Sequence, residues 1–518
     1  MNTTEATETT ETTTDIKNVV LIEPKAPGFH VFSRYKLPRL GLPMLGAVLE
    51  RELGASVKIY FQECAKIDWD EVARADLVGI STITPTAPVA YALIERIKKI
   101  SKAPVVMGGA HVSFLAEEAI EKGADFVVRG EGEKTLVELV RHLNGSPEYA
   151  DITAIAGLTW ARDGAAVNNP DREWNNDLTS LPWPKLSLIQ GFDDRAIIPV
   201  MTSRGCPFNC KFCTVTSMFG RKYRFRDTED VIAELEELYE QYPKAVFFFY
   251  DDNFTANPSH TKELLRRMKE KGITPRWTAQ TRVDVVDDDE LMQLMEDTGC
   301  MFLYLGLESA NPETLKAYRK AQTVQDIERA VRVIHEHKIK VHGMFVMGSD
   351  EDDKESIRET VRFSKRAGID SVQYMILTPI PGSETYVDMC REERIFSDDW
   401  SKFSGHHVVF QPAKMTPFQL QKEAGIKAMS KFYSVAQCWK LGFRFRWREM
   451  AIRIYGHRTL MKWKDRNRYW LSELKHTYKA ERAHRKQERI DLEEFGGLVA
   501  TRADGGKRDS DGSLTHAK

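Results

Sequence analysis

Thr202–Thr216 reads TSRGCPFNCKFCTVT. Three of the seven cysteines in the chain, Cys206, Cys210 and Cys213, stand in it at the spacing C-x3-C-x2-C. A zinc site draws four ligands, usually from two separated pairs, and Cys64, Cys300, Cys390 and Cys438 are scattered singles that form no partner pair. The polar, low-complexity start MNTTEATETTETTTD has neither a basic region nor an apolar core. The expected compartment is therefore the reducing cytoplasm, where an odd triplet is not a disulfide framework. Three thiolates on one short loop can instead bind three irons of a [4Fe–4S] cluster and leave the fourth open. An open iron lets a substrate or cosubstrate bind the metal directly.

The loop follows a β-rich run, IIPVMTS (197–203), and precedes further runs at 245–251, 276–282, 301–309, 340–348 and 371–379. Helical patterns such as TEDVIAELEELYEQY (228–242) and TVQDIERAVRVIHEHK (323–338) separate them. Six βα units predict a partial (βα)6 barrel of the TIM type, with catalytic groups at the carboxyl ends of its strands. Ahead of it, residues 16–145 carry five short β-rich runs, at 18–24, 56–61, 77–82, 104–109 and 125–130, with amphipathic segments between them. That rhythm predicts an α/β, flavodoxin-like doubly wound domain, which binds ligands at the carboxyl ends of its strands. Residues 146–195 are rich in Asn, Asp, Pro and Trp and read as a linker with a hairpin turning at Asp163-Gly164. The barrel is expected over 196–399 and a helical, basic-aromatic region over 400–499, with disordered tails at 1–15 and 500–518.

The bulk numbers agree with this division. At 518 residues the chain exceeds one ordinary domain. A net charge of −2 gives no global pull toward nucleic acid. No run of about 18 apolar residues occurs, so no membrane span is expected.

A C-x3-C-x2-C loop after the first strand of a βα barrel resembles the radical SAM superfamily, and the likeness covers roughly 197–385. The resemblance implies that Cys206, Cys210 and Cys213 hold a [4Fe–4S] cluster. It implies that S-adenosylmethionine (SAM) chelates the open iron and is cleaved on reduction to a 5′-deoxyadenosyl radical. Phe212 matches an aromatic expected near the adenine. Asp251 and Asp252, in YDDNF, stand where the family usually places Gly-Gly-Glu near the SAM amino group; the missing glycines are a variant of the cobalamin-dependent branch. Glu308 and Ser309, in GLES, resemble the segment that contacts ribose and carboxylate. Arg282 is expected to pair with the SAM carboxylate, and Gly348 to allow close approach near the adenine. Arg221, Arg224 and Arg226 either line an approach for an anionic group or form a solvated charge run.

A flavodoxin-like domain before such a barrel resembles the cobalamin-binding branch. The segment LPRLGLPMLG (37–46) is similar to the start of that domain's first helix. Ser81, Thr82, Gly108, Gly109, Gly130, Glu131 and Gly132 match positions that line the nucleotide tail of cobalamin in the family. Many cobalamin folds carry Asp-x-His-x-x-Gly, whose His ligates cobalt. Here the region reads YFQECAKI (60–67), without His, so either cobalt lacks a protein ligand or cobalamin is not bound. His111 is expected as a wall residue of the pocket, and Cys64 as a plain pocket thiol.

FRFRWREMAIRIYGHRTLMKWKDRNRYW (443–470) mixes cations with aromatics. It suits either a helical cap with a solvated basic face or peripheral membrane contact, and nucleic acid is not an expected partner. The motif wording is most similar to hopanoid methylases and to lipid- or tetrapyrrole-modifying members. The implied activity is radical functionalisation of an unactivated carbon in a hydrophobic, isoprenoid or lipid substrate, most of all C-methylation. Radical coupling or oxidative cyclisation without methyl transfer is the alternative. An electron donor such as flavodoxin or ferredoxin is an implied partner. A tRNA-modifying methylthiotransferase is remoter, because the N-terminal domain has no second cysteine triplet. No catalytic residue beyond the cofactor ligands is assigned.

Overall fold

The computed structural model describes residues 15–27, 37–193, 197–434, 436 and 447–477. The expected tails apart from Asp15, residues 443–446 of the basic-aromatic segment, and Cys438 lie outside the described residues.

The N-terminal sheet is built from β1 (Asn18–Glu23), β2 (Ser56–Phe61), β3 (Leu77–Ser81), β4 (Val105–Gly108) and β5 (Phe126–Val128). They are parallel in the order β2-β1-β3-β4-β5. Between them run α1 (Gly41–Leu53), α2 (Trp69–Arg74), α3 (Ala87–Ile100), α4 (Ala110–Phe114) and α5 (Ala116–Glu121), followed by α6 (Gly132–Leu143). In α3 the residues Ala87, Ala90, Tyr91, Ile94 and Ile97 form one buried stripe at helical spacing. Lys98 and Lys99 sit in its last turn, where cations suit the helix dipole.

The hairpin is present as β6 (Leu158–Arg162) and β7 (Ala165–Asn168), and Asp163 and Gly164 both have positive φ. It does more than link, because β6 pairs antiparallel with β5 and extends the sheet from five strands to seven. The rest of this stretch staples the two domains. Trp183 donates to Asp230 at 2.8 Å, Trp174 donates to the Met218 carbonyl at 3.2 Å, and Gln190 donates its N–H to Ile59 at 2.9 Å.

The second sheet contains β8 (Ile197–Val200), then, after the short antiparallel pair β9 (Ser203–Arg204) and β10 (Arg224–Phe225), β11 (Val246–Phe249), β12 (Arg276–Thr281), β13 (Cys300–Glu308), β14 (Lys340–Met347) and β15 (Ser371–Ile376). Its six strands run β8-β11-β12-β13-β14-β15, all parallel, and β15 does not pair back onto β8. This is a partial barrel. Its helices begin on side-chain caps: Asp227 starts α7 (Thr228–Gln241), Thr323 and Asp326 box the start of α8 (Val324–Glu336), and Asp353 and Ser356 that of α9 (Lys354–Arg366).

A helical C-terminal region covers the β15 side. Tyr433 accepts from the Val372 N–H and donates to the Val372 carbonyl, and Ile376 donates to the Gly405 carbonyl. A sheet edge left open would otherwise expose unpaired backbone groups. The helix Trp447–Arg466 buries Leu460 and Trp463, and Arg453 stacks 3.6 Å over the Phe432 ring. Its opposite side leaves Trp447 and Met461 exposed, with Tyr469 beyond its end. Among the described residues no helix is long and apolar enough to cross a membrane.

Candidate active site and cofactor cavity

The cysteine loop leaves β9 through Gly205, whose φ is 88°. A Cβ there would meet the Lys222 carbonyl at 2.7 Å, so glycine is required for the turn. The loop is then fixed from both sides. Lys211 donates its N–H to the Tyr318 carbonyl at 3.3 Å, Thr385 donates to the Lys211 carbonyl, and the Lys211 ammonium pairs with Asp388 at 2.7 Å. Phe212 packs edge-on against Tyr318 at 4.9 Å.

Cys206, Cys210 and Cys213 are all half-buried and unbridged. Burial pushes the Cys213 thiol up to about 12 and also raises Cys206. Metal ligation takes cysteine as the thiolate, so loading this loop would release the thiol protons. Among the described residues no three His, Cys, Asp or Glu side chains converge as the ligands of one ion would. Three thiols on one short loop, each able to take a different iron, are a donor set that fits a [4Fe–4S] cluster with one iron left open.

Asp251 and Asp252 follow β11 and divide their roles. Asp251 is buried and accepts from Thr202 N–H at 3.1 Å, Thr202 Oγ1 at 3.0 Å and the Ser203 hydroxyl. It ties the end of β11 to that of β8. Asp252 borders the cavity described below, and among the described residues no hydrogen bond or ion pair engages it. Its surface is open to that cavity, yet surrounding protein removes enough water, with Asp251 adding negative charge, to push the carboxyl up to about 7. It is an acceptor without a donor beside the thiol loop.

Glu308 sits at the end of β13 with φ 59° and pairs with Lys320 Nζ at 2.8 Å. Ser309 accepts from the Asn311 N–H and so shapes the turn after the strand. Arg282 is buried, stacks 3.8 Å over Phe208 and donates to the Lys320 carbonyl at 2.8 Å, while its Nε makes no hydrogen bond and lies 3.6 Å from the Asp284 carboxylate. The space a Cβ would take at Gly348 is filled by Leu420, so this glycine makes room for α10 (Pro417–Leu420) of the C-terminal region.

Between the two sheets lies a cavity of about 330 Å³. Ser81, Thr82, Gly108, Gly109, Gly130, Glu131 and Gly132 all line it, at the carboxyl ends of β3, β4 and β5, and Met201, Ser203, Tyr250 and Asp252 line it from the barrel. Gly109, at φ 96°, is pressed against the Thr82 backbone, where a Cβ would lie 2.8 Å from the nitrogen. The N-termini of α1 and α6, at Gly41 and Gly132, open onto the cavity with no side-chain cap. Uncapped N–H groups and side-chain-free walls suit a slender, phosphate-bearing chain. The donor set therefore fits the nucleotide tail of a cobalamin.

Two of the seven residues are occupied structurally. Thr82 Oγ1 bonds Thr86 at 2.9 Å and the Ile83 carbonyl. Glu131 grips the Arg224 guanidinium with both oxygens, at 2.7 and 3.0 Å, and lies 3.3 Å from Arg204, which also pairs with Glu133 at 2.5 Å. Arg226 pairs with Asp230 and Glu234. Arg224 and Arg226 are thus neither solvated nor lining an approach: both are buried ion-pair members, and only Arg221 is exposed. His111 does not line the cavity. It is fully buried between Thr84, 3.4 Å from Nδ1, and Trp400, whose ring lies edge-on at 5.0 Å. Cys64 does not line it either.

Lys320, Arg204 and Tyr250 were not singled out from sequence. Each is a polar residue in an ordinary local pattern, and only burial reveals it.

The two domains and the shared cavity define a radical SAM enzyme with a cobalamin-type domain. Family models agree: the B12 binding domain matches residues 32–140 and the radical SAM superfamily matches 200–364. A methyltransferase of Pyrococcus horikoshii, itself uncharacterized, is 32% identical over 76% of this chain and 88% of its own. The chain belongs to this radical SAM family. Bacteriochlorophyllide d C-12(1)-methyltransferase of Chlorobaculum tepidum is 29% identical over 66% of this chain and 71% of that one. In fold, the chain is like the radical SAM methyltransferase TsrM of Kitasatospora setae, solved with cobalamin and a [4Fe–4S] cluster. The TM-score is 0.61 at 20% identity, covering 73% of this chain and 75% of that one.

Proposed function

We propose that this chain is a cobalamin-dependent radical SAM methyltransferase acting on an unactivated carbon of a hydrophobic substrate. One observation carries it: the glycine-walled cavity of the N-terminal domain is lined from the barrel by Asp252, whose charge reaches the Cys206 and Cys213 thiols. A methyl carrier and a radical source held there would share one space.

Cys206, Cys210 and Cys213 would hold the cluster, and Gly108, Gly109, Gly130 and Gly132 would flank the cobalamin tail. Bound together, these groups supply reductive cleavage of SAM and a carrier for its methyl group. The chain's own part is placement. Asp252 offers its free carboxylate to the SAM ammonium. Asp251, held by Thr202 and Ser203, keeps that strand end against β8. The Phe248 ring lies 5.8 Å from that of Tyr250 and 5.8 Å from that of Tyr304, and the three give the barrel an aromatic wall from the cavity inward. An aromatic wall favours an apolar body, such as a lipid or tetrapyrrole, over an anionic one. The relatives named for bacteriochlorophyllide methylation support a tetrapyrrole. The cyclase relatives, such as that of Rubrivivax gelatinosus at 27% identity, support the alternative of ring closure without methyl transfer.

The test is methyl-labelled SAM given to the anaerobically reconstituted, cobalamin-loaded enzyme with lipid and tetrapyrrole extracts in parallel. Label in an extracted product supports the proposal and names the substrate class. Label in neither extract, with SAM consumed, contradicts it.

A further inference from the structure

Lys320 is among the least exposed charged side chains in the barrel, at 6%. Its backbone setting is unusual: Arg319 has φ 57° and Ala321 has φ 44°. Two non-glycine residues in the left-handed region cost of order 1–3 kcal/mol each, and such strain persists only where the surroundings enforce it. The loop's surroundings supply the enforcing contacts. Lys320 N–H donates to the Leu315 carbonyl at 2.9 Å, its carbonyl accepts from Arg282, and its ammonium meets Glu308 Oε1 at 2.8 Å. Glu308 is itself left-handed. Gly306 leaves the gap in which this pair sits, since a Cβ there would meet Lys320 Nζ at 2.7 Å and Glu308 Oε1 at 2.8 Å. The same short loop supports the thiol loop, through the Tyr318 carbonyl on Lys211 N–H and the Tyr318 ring on Phe212. Burial alone would discharge the ammonium, but the Glu308 carboxylate 2.8 Å away outweighs it and keeps Lys320 charged.

We propose that Lys320 is a positioning residue: the strained 318–322 loop aims its ammonium so that it holds the Glu308 carboxylate and sets a fixed positive charge against the thiol loop. This rests on the assignment of Cys206, Cys210 and Cys213 as cluster ligands. A fixed cation beside a cluster favours its reduced, more negative state. An anion at the same place does the opposite.

The test measures the midpoint potential of the cluster by dithionite titration followed by electron paramagnetic resonance, on the reconstituted full chain. Iron content is measured alongside. Lys320→Met is expected to shift the midpoint to lower potential, Lys320→Arg to restore most of it, and Glu308→Gln to shift it upward. Opposite shifts from the two members of one ion pair are not what a general loosening of the fold produces. If the parent and all three variants hold iron and share one midpoint, the inference is overturned. If Lys320→Met holds no iron, Glu308→Gln decides: an upward shift supports the inference and an unchanged midpoint overturns it. A parent chain that takes up no iron would instead overturn the cluster assignment itself.

Discussion

Asp251 and Asp252 are neighbours in sequence with different tasks. Asp251 is saturated by three donors, whereas Asp252 is an open acceptor in the cavity. Asp252→Asn should therefore weaken SAM binding at least 10-fold, a loss of about 1.4 kcal/mol or more for one charge-assisted contact. Equilibrium dialysis with the cluster-loaded protein measures it, and unchanged binding would remove Asp252 from the site. His111 gives a different kind of prediction. Burial holds its imidazole down to about 4 against an ordinary 6.5. Its folded state resists protonation, so the unfolded chain binds the extra proton between pH 6.5 and 4. Stability is lost as pH falls through that window, by about 3 kcal/mol for this residue. His111→Leu should flatten the fall in Tm between pH 6.5 and 4 relative to the parent; parallel curves would contradict it. At this scale the sequence is legible where spacing itself carries chemistry, as in the thiol triplet. It is not legible where a charge is buried: Arg224 reads like Arg221 in GRKYRFR, yet one is an interior ion-pair member and the other faces solvent.

The elements that matter most are those that join the two halves. β9 and β10, two residues each, bring Arg204 and Arg224 onto Glu131 and Glu133 at the start of α6. Removing one partner of such a cluster leaves the others buried and underpaired, which costs about 3–5 kcal/mol. Glu131→Gln should lower Tm and speed loss of bound cobalamin on gel filtration, with Glu133→Gln acting in the same direction. Wild-type retention and Tm in both would show that the clamp does not hold the domains together. The hydrophobic runs made every main strand readable, because alternating or fully buried β-branched stretches bounded by turns have few other interpretations. β9 and β10 are too short to leave a pattern. The Asp163-Gly164 turn announced its hairpin, but nothing local told that β6 would pair with β5, since strand partners are chosen by tertiary packing. The left-handed residues Glu308, Arg319 and Ala321 were invisible for the same reason, being held by contacts distant in sequence.

Across the whole molecule, a doubly wound sheet and a partial barrel present the carboxyl ends of their strands to one cavity. Each sheet alone would place its ligands at those ends; set together, they make one site out of two. The order of domains and the strand rhythm made this architecture readable from the sequence. The way Trp174, Trp183 and the arginine clamp fix the domains was not, since those contacts cross between segments that are separate in the chain. Methyl transfer is tested by product stoichiometry. The chain is reconstituted anaerobically with iron, sulfide and cobalamin, reduced, and supplied with SAM and the substrate extract, and 5′-deoxyadenosine and S-adenosylhomocysteine are quantified together. Methyl transfer to an unactivated carbon predicts that both accumulate in roughly equal amounts and in parallel. 5′-Deoxyadenosine accumulating alone would contradict it and assign the cavity to coupling or cyclisation.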